Sequence, residues 1–90
     1  MKFGWDDTKA TTNFVKHKVS FDEATTVFGD TFSISGRDIE HSLTELRCII
    51  IGFSNEGRTL VVSYTDRNSI IRIISARPAT RKEKKLYEEG

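Results

Sequence analysis

Glu45 and Arg47 stand two residues apart at the head of the apolar run Cys48 to Ile51. On an extended strand that spacing projects both side chains to one face, about 7 Å apart between Cα atoms. A carboxylate and a guanidinium so placed form either an ion pair or an acid–base device beside a phosphate clamp. Arg72 and Arg77 follow on a strand-like segment rich in isoleucine, Ile70 to Ala76. If alternation there is unbroken, Arg72 shares one side with Ile70 and Ile74, and Arg77 shares the other with Ile71 and Ile73. An arginine among isoleucines is either paired at the edge of the core or held ready for an anion. Glu45 and Arg47 are the partners such arginines would meet.

The other reactive side chains have ready structural readings. His17 shares a helix face with Phe14 and suits a satisfied, partly buried position, whereas His41 lies in a polar stretch and reads as solvated. Trp5 suits a core anchor better than a base-stacking platform. The basic run Arg81, Lys82, Lys84, Lys85 reads as a solvated face. Two separated histidines and one cysteine have no metal-ligand spacing, so no metal or other cofactor is expected. Gly52 and Gly57 belong to a strand and a turn rather than to a phosphate loop.

Local signals define the elements that position these groups. Lys2 to Trp5 suits a short strand. Asp6 can cap a helix running to about His17, with Ala10, Asn13, Phe14 and His17 on one face. Ser20-Phe21-Asp22-Glu23 reads as a capping box, stapled by Val19 and Ala24, before a second helix ending near Phe28. Strands follow at Phe32 to Ile34, Leu46 to Phe53, Leu60 to Thr65 and Ile70 to Ala76. Ser54 to Gly57 and Asp66 to Ser69 supply the turns. Pro78 ends the last strand, and Thr80-Arg81-Lys82-Glu83 opens a terminal helix with a second capping box. The expectation is an α+β fold: two N-terminal helices on an antiparallel sheet of about four strands, then a short C-terminal helix.

Ninety residues with 37% hydrophobic composition support one domain, 1–90, with a thin core. Chemistry on such a chain falls to a few side chains on an open surface. The single Cys48 excludes a disulfide framework and, with no secretory signal or membrane span, points to a cytoplasmic setting. The net charge of +1 is unevenly spread. Residues 19–45 carry six acids against Arg37 alone, whereas Asp66 onward carries seven basic residues against four acids. The basic third permits a phosphate-rich partner.

In order along the chain, Trp5-Asp6, Lys9, Asn13, Lys16-His17, Val19 to Ala24 and Val27-Phe28 resemble the opening of BrnT toxins. Glu45-Leu46-Arg47, Ile51-Gly52, Tyr64 to Arg67, Arg72 to Arg77, Ala79-Thr80, Glu83 and Tyr87 continue the resemblance. Lys18 and Thr31 depart from it, standing where the family usually has Gly and Pro. The resemblance implies a RelE-like microbial RNase fold and a type II toxin–antitoxin endoribonuclease that works away from the ribosome. It also implies neutralisation by a BrnA-like antitoxin in a 2:2 heterotetramer, with DNA bound only through the antitoxin's ribbon-helix-helix domain. A non-catalytic RNA- or protein-binding module on the same fold is the alternative.

Metal-free RNA cleavage needs a base for the 2′-hydroxyl, a cation at phosphorus and an acid for the leaving 5′-oxygen. Glu45 or His17 can serve as base. Arg47, Arg67, Arg72 and Arg77 are candidate phosphate cations, with Lys9 and Lys16 positioning the RNA backbone. Tyr87 can contact RNA or act as acid, although packing of its ring on the sheet competes.

Overall fold

The computed structural model describes residues 1–40 and 45–90. Strand β1 (Lys2–Gly4) leads into helices α1 (Asp7–His17) and α2 (Phe21–Thr26), the second extended by a 3-10 turn at Val27–Gly29. Strands β2 (Ile34–Arg37), β3 (Cys48–Phe53), β4 (Thr59–Arg67) and β5 (Ile70–Pro78) follow, then helix α3 (Arg81–Glu89). The strands form one sheet in the order β1-β5-β4-β3-β2. The described residues form five strands rather than about four, and β1 joins β5 in parallel through the pairs Lys2–Ile70 to Gly4–Arg72. Three residues are too few to show a period, which is why sequence pattern placed this strand without a partner. No helix among the described residues is long and apolar enough to cross a membrane.

The predicted caps form, with one change. Asp6 Oδ1 accepts from the Thr8 and Lys9 amides at 2.8 and 3.2 Å. Thr80 and Glu83 exchange both bonds of their capping box. Ser20 Oγ accepts from the Glu23 amide at 3.0 Å, but Glu23 does not return the bond. Its carboxylate instead receives Arg58 Nε and Nη2 at 2.8 and 2.7 Å and Ser54 Oγ at 2.7 Å. A guanidinium fork prevails over one backbone amide because it gives the carboxylate two bonds and a full positive charge. Arg58 Nη2 also donates to the Lys18 carbonyl at 2.6 Å. That carbonyl belongs to the left-handed C-cap of α1, where Lys18 takes φ 59° in place of a glycine.

The core lies between α1, α2 and one sheet face. Val19, Phe21, Ala24 and Val27 pack on Ile50, Leu60, Val62, Ile71, Ile73 and Ala76, with Trp5 and Phe28 at the margin. Gly52 lets the 3-10 turn approach β3, since a Cβ there would stand 2.7 Å from Val27 Cγ1. The β4–β5 hairpin closes tightly: Arg67 pairs with Ile70 across Asn68 and Ser69, both at positive φ. Twin left-handed residues match the twist of the strands in a two-residue turn. Asp66 and Arg67, read from sequence as turn, are therefore in β4.

A break in register corrects the expected arginine geometry. Ser63 pairs with Ser75 but Tyr64 pairs with Ile73, so Ile74 is the extra residue of a β-bulge. Alternation therefore resets between the two arginines. Ile71, Ile73 and Ala76 face the core, and Arg72, Ser75 and Arg77 share the opposite face.

Below the bulge β5 has no strand on its outer edge, and α1 fills the place. Asn13 Nδ2 donates to Ala76 O at 2.8 Å and to Val19 O at 3.0 Å, while Asn13 Oδ1 accepts from Ala76 N at 3.1 Å. All three groups are buried, so the carboxamide serves as a surrogate strand. Asn13→Asp keeps the shape but turns an acceptor toward two carbonyls. It is expected to lower stability by about 2–4 kcal/mol, read as a fall in Tm against the parent protein.

Candidate functional site

The sheet face turned away from α1 and α2 is organised in rows about 7 Å apart along the strands. Arg67 stands at the hairpin end; Thr65 is opposite Arg72, Ser63 opposite Ser75, and Val61 opposite Arg77. Ile49 and Ile51 extend two of these rows onto β3. Glu45 and Arg47 precede β3 rather than lying on it, because the ladder with β2 stops at the Arg37–Cys48 pair. Their neighbours still place them at this end of the sheet. Glu45 Oε1 is 2.5 Å from Arg67 Nη2, and the Arg47 carbonyl accepts from the Asp38 amide at 2.8 Å.

A cleft of about 360 Å³ opens on this face, with Arg47 and Arg77 at its margins and Ser63, Ser75, Ile49 and Val61 between them. Asp38 and Glu40 complete its wall. Helix α3 borders the same face. Its Leu86 shares an apolar groove with Ile34, Ile49 and Ile51, and its Glu83 grips Arg77. Arg77 Nη1 and Nη2 meet Glu83 Oε1 and Oε2 at 2.7 and 2.9 Å. The guanidinium is the main reason that the Glu83 carboxyl is held down to about 2. Arg72 is exposed and makes no ion pair among the described residues.

Five of the sequence candidates thus converge on one surface: Glu45, Arg47, Arg67, Arg72 and Arg77. Glu45 meets Arg67 rather than Arg72 or Arg77. Lys9, Lys16 and His17 belong to α1, in the layer on the other side of the sheet. Lys9 and Lys16 are exposed there, and His17 is half-buried at the helix end. Tyr87 is also elsewhere. Its hydroxyl donates to Asp30 Oδ2 at 2.5 Å, an anion that pushes the phenol up to about 12. Asp30 also accepts from the Phe53 and Phe32 amides, so Tyr87 ties α3 to the end of β3. His41 lies outside the described residues.

Sequence reading passed over Ser63, Ser75, Asp38, Glu40 and Glu83. The alternation Leu60, Val62, Tyr64 against Val61, Ser63, Thr65 held the signal for the serines, since small polar groups mark the face away from the core. The Thr80-to-Glu83 pattern shows Glu83 only as a helix cap, because its second partner, Arg77, lies before the helix. The buried Thr65 hydroxyl, which has no hydrogen-bond partner among the described residues, carries no signature in sequence.

Comparison with known proteins points to one family. The family described as "Ribonuclease toxin, BrnT, of type II toxin-antitoxin system" matches residues 5–83. The fold is similar to the 1.1 Å crystal structure of the Brucella abortus ribonuclease toxin BrnT. That likeness has a TM-score of 0.69 at 24% identity and covers 90% of this chain and 99% of the other. No curated protein matches.

The Arg77–Glu83 pair sets a pH dependence. The folded value of Glu83, about 2, lies below its ordinary 4.5. Its contribution is therefore full above 4.5 and is lost as pH falls from there toward 2. Arg77 is 40% exposed, so solvent screening reduces the contribution to about 1 kcal/mol. Glu83→Gln is expected to be less stable than the parent by that amount at pH 7 and to converge with it near pH 2, followed by thermal melts across the range.

Proposed function

The chain belongs to the BrnT family of ribonuclease toxins of type II toxin–antitoxin systems, and we propose that it cleaves RNA without metal or ribosome, in the cytoplasm, until an antitoxin stops it. The family match over residues 5–83 carries the reading. The gathering of four arginines and Glu45 on one open sheet face supports it.

In the proposed reaction the RNA backbone lies along this face, its phosphates neutralised by Arg47, Arg67, Arg72 and Arg77. Glu45 takes the proton from a 2′-hydroxyl, whose oxygen attacks the adjacent phosphorus. A new P–O bond closes the cyclic phosphate as the bond to the 5′-oxygen breaks. The departing 5′-oxygen takes its proton from water at the open face, since Tyr87 is held on Asp30. The arginines stabilise the charge that gathers on phosphorus in between. Glu45 is preferred to His17 as base because it sits beside Arg67 on the arginine face, whereas His17 belongs to the helical layer. Arg67 both orients Glu45 and competes with the substrate for it. RNA must loosen that pair as its phosphate engages the guanidinium. Lys9 and Lys16 then act at most on flanking RNA.

A type II family implies an antitoxin partner. We take it to be BrnA-like, in a 2:2 assembly that reaches DNA only through the antitoxin. Purified protein incubated with a defined RNA in excess EDTA is expected to give multiple turnovers. Binding without cleavage would favour a non-catalytic module instead.

Glu45→Gln retains shape but cannot accept a proton at neutral pH. It is expected to fold, to bind RNA, and to lose cleavage by roughly 10²–10⁴-fold. Arg47→Lys keeps the charge and loses the planar fork, so it too should be poorly active. Parent-like cleavage by folded Glu45→Gln protein would remove Glu45 as base.

A further inference from the structure

Arginine offers five N–H donors arranged around a rigid plane. In Arg77 three of them are spoken for. Nη1 donates to Glu83 Oε1 at 2.7 Å and to the Pro78 carbonyl at 3.4 Å, and Nη2 donates to Glu83 Oε2 at 2.9 Å. The two left over, on Nε and on the outer side of Nη2, lie along one edge of the plane. They are parallel and spaced to meet two oxygens of one phosphate. Among the described residues neither has a partner. The carboxylate therefore holds the guanidinium by its end and leaves its side edge open.

That guanidinium borders the cleft whose floor holds Ser63 and Ser75, directly opposed across β4 and β5. Their hydroxyls also lack hydrogen-bond partners among the described residues. Glu83 is itself fixed, because its Oε1 accepts from the Thr80 amide at 2.8 Å at the start of α3. The plane of Arg77 is thus set by a helix terminus rather than by a free side chain.

We propose that the side edge of Arg77, with the hydroxyls of Ser63 and Ser75, forms a subsite for one RNA phosphodiester, and that Glu83 is its positioning residue. The inference rests on RNA being the substrate and adds which donors meet it. Glu83 never touches RNA. Without it the guanidinium keeps its charge but loses its fixed plane, so the fork no longer meets two oxygens together.

The test is a coupling measurement between protein and single phosphates. The probe is a short 2′-O-methyl RNA, which binds but cannot be cleaved, carrying one neutral methylphosphonate linkage moved along its length. In the parent protein one linkage near the cleft is expected to weaken binding about tenfold or more. Arg77→Lys should remove most of that penalty at the same linkage and leave the other linkages unchanged. Glu83→Gln should do likewise, although Gln still completes the helix cap. Ser63→Ala combined with Ser75→Ala should reduce the penalty partly. A structural role alone would lower affinity equally at every linkage, because independent effects add. Additive behaviour at all linkages, in a protein that cleaves and binds RNA, would overturn the subsite alone. A parent protein that neither cleaves nor binds RNA would overturn the ribonuclease reading and the subsite with it.

Discussion

The carboxamide of Asn13 grips both backbone groups of Ala76, and the geometry of the rest follows from that grip. It closes the outer edge of β5 below the bulge, where an exposed edge would otherwise invite pairing with another chain. Ala76 is wholly buried against the helical layer, so by strand alternation Ser75 and Arg77 look outward, and the extra residue at Ile74 brings Arg72 to the same side. One buried amide thereby ties the helical layer to the strand that carries Ser75 and Arg77.

A second polar tie acts at the other end. Glu23 is almost wholly buried, and its carboxylate is satisfied by Arg58 and Ser54, with the Arg58 guanidinium holding it below the usual carboxylate range. Through the Lys18 carbonyl the same arginine braces the turn between α1 and α2. The buried charge on this side of the sheet is consumed by structure. On the far side the guanidinium groups of Arg67, Arg72 and Arg77 are exposed wholly or in part, the state suited to meeting an anionic polymer. Removing a partner from Glu23 leaves a buried charge, a cost the exposed face does not carry.

Much of this was legible in the sequence where the information is local. Asp6, Ser20 and Thr80 announce their helices because a cap needs only a side chain and the next three amides. Strands β3 to β5 show in their apolar runs. What could not be read depends on contacts across the chain. The bulge arises from how β5 must meet β4 and α1 together, and only the spacing Ile71, Ile73, Ala76 hints at it. The capping-box pattern at Ser20 was half misleading, since Arg58 is remote in sequence and claims the Glu23 carboxylate. Arginines of the site were found by type, but their common face, and the departure of His17 and Tyr87 from it, required the fold.

The parallel pairing of β1 with β5 has a consequence for how the protein comes into being. A strand from the beginning of the chain waits for one near its end, and the Asn13–Ala76 bonds span 63 residues. Such long-range closure slows folding because loop entropy is spent before any contact rewards it. On the ribosome the helices can form early, yet the sheet face that gathers the arginines cannot exist until β5 has emerged from the exit tunnel. Until then the nascent chain carries the arginines without the face that gathers them. The topology gives the cell an interval between translating this protein and possessing it.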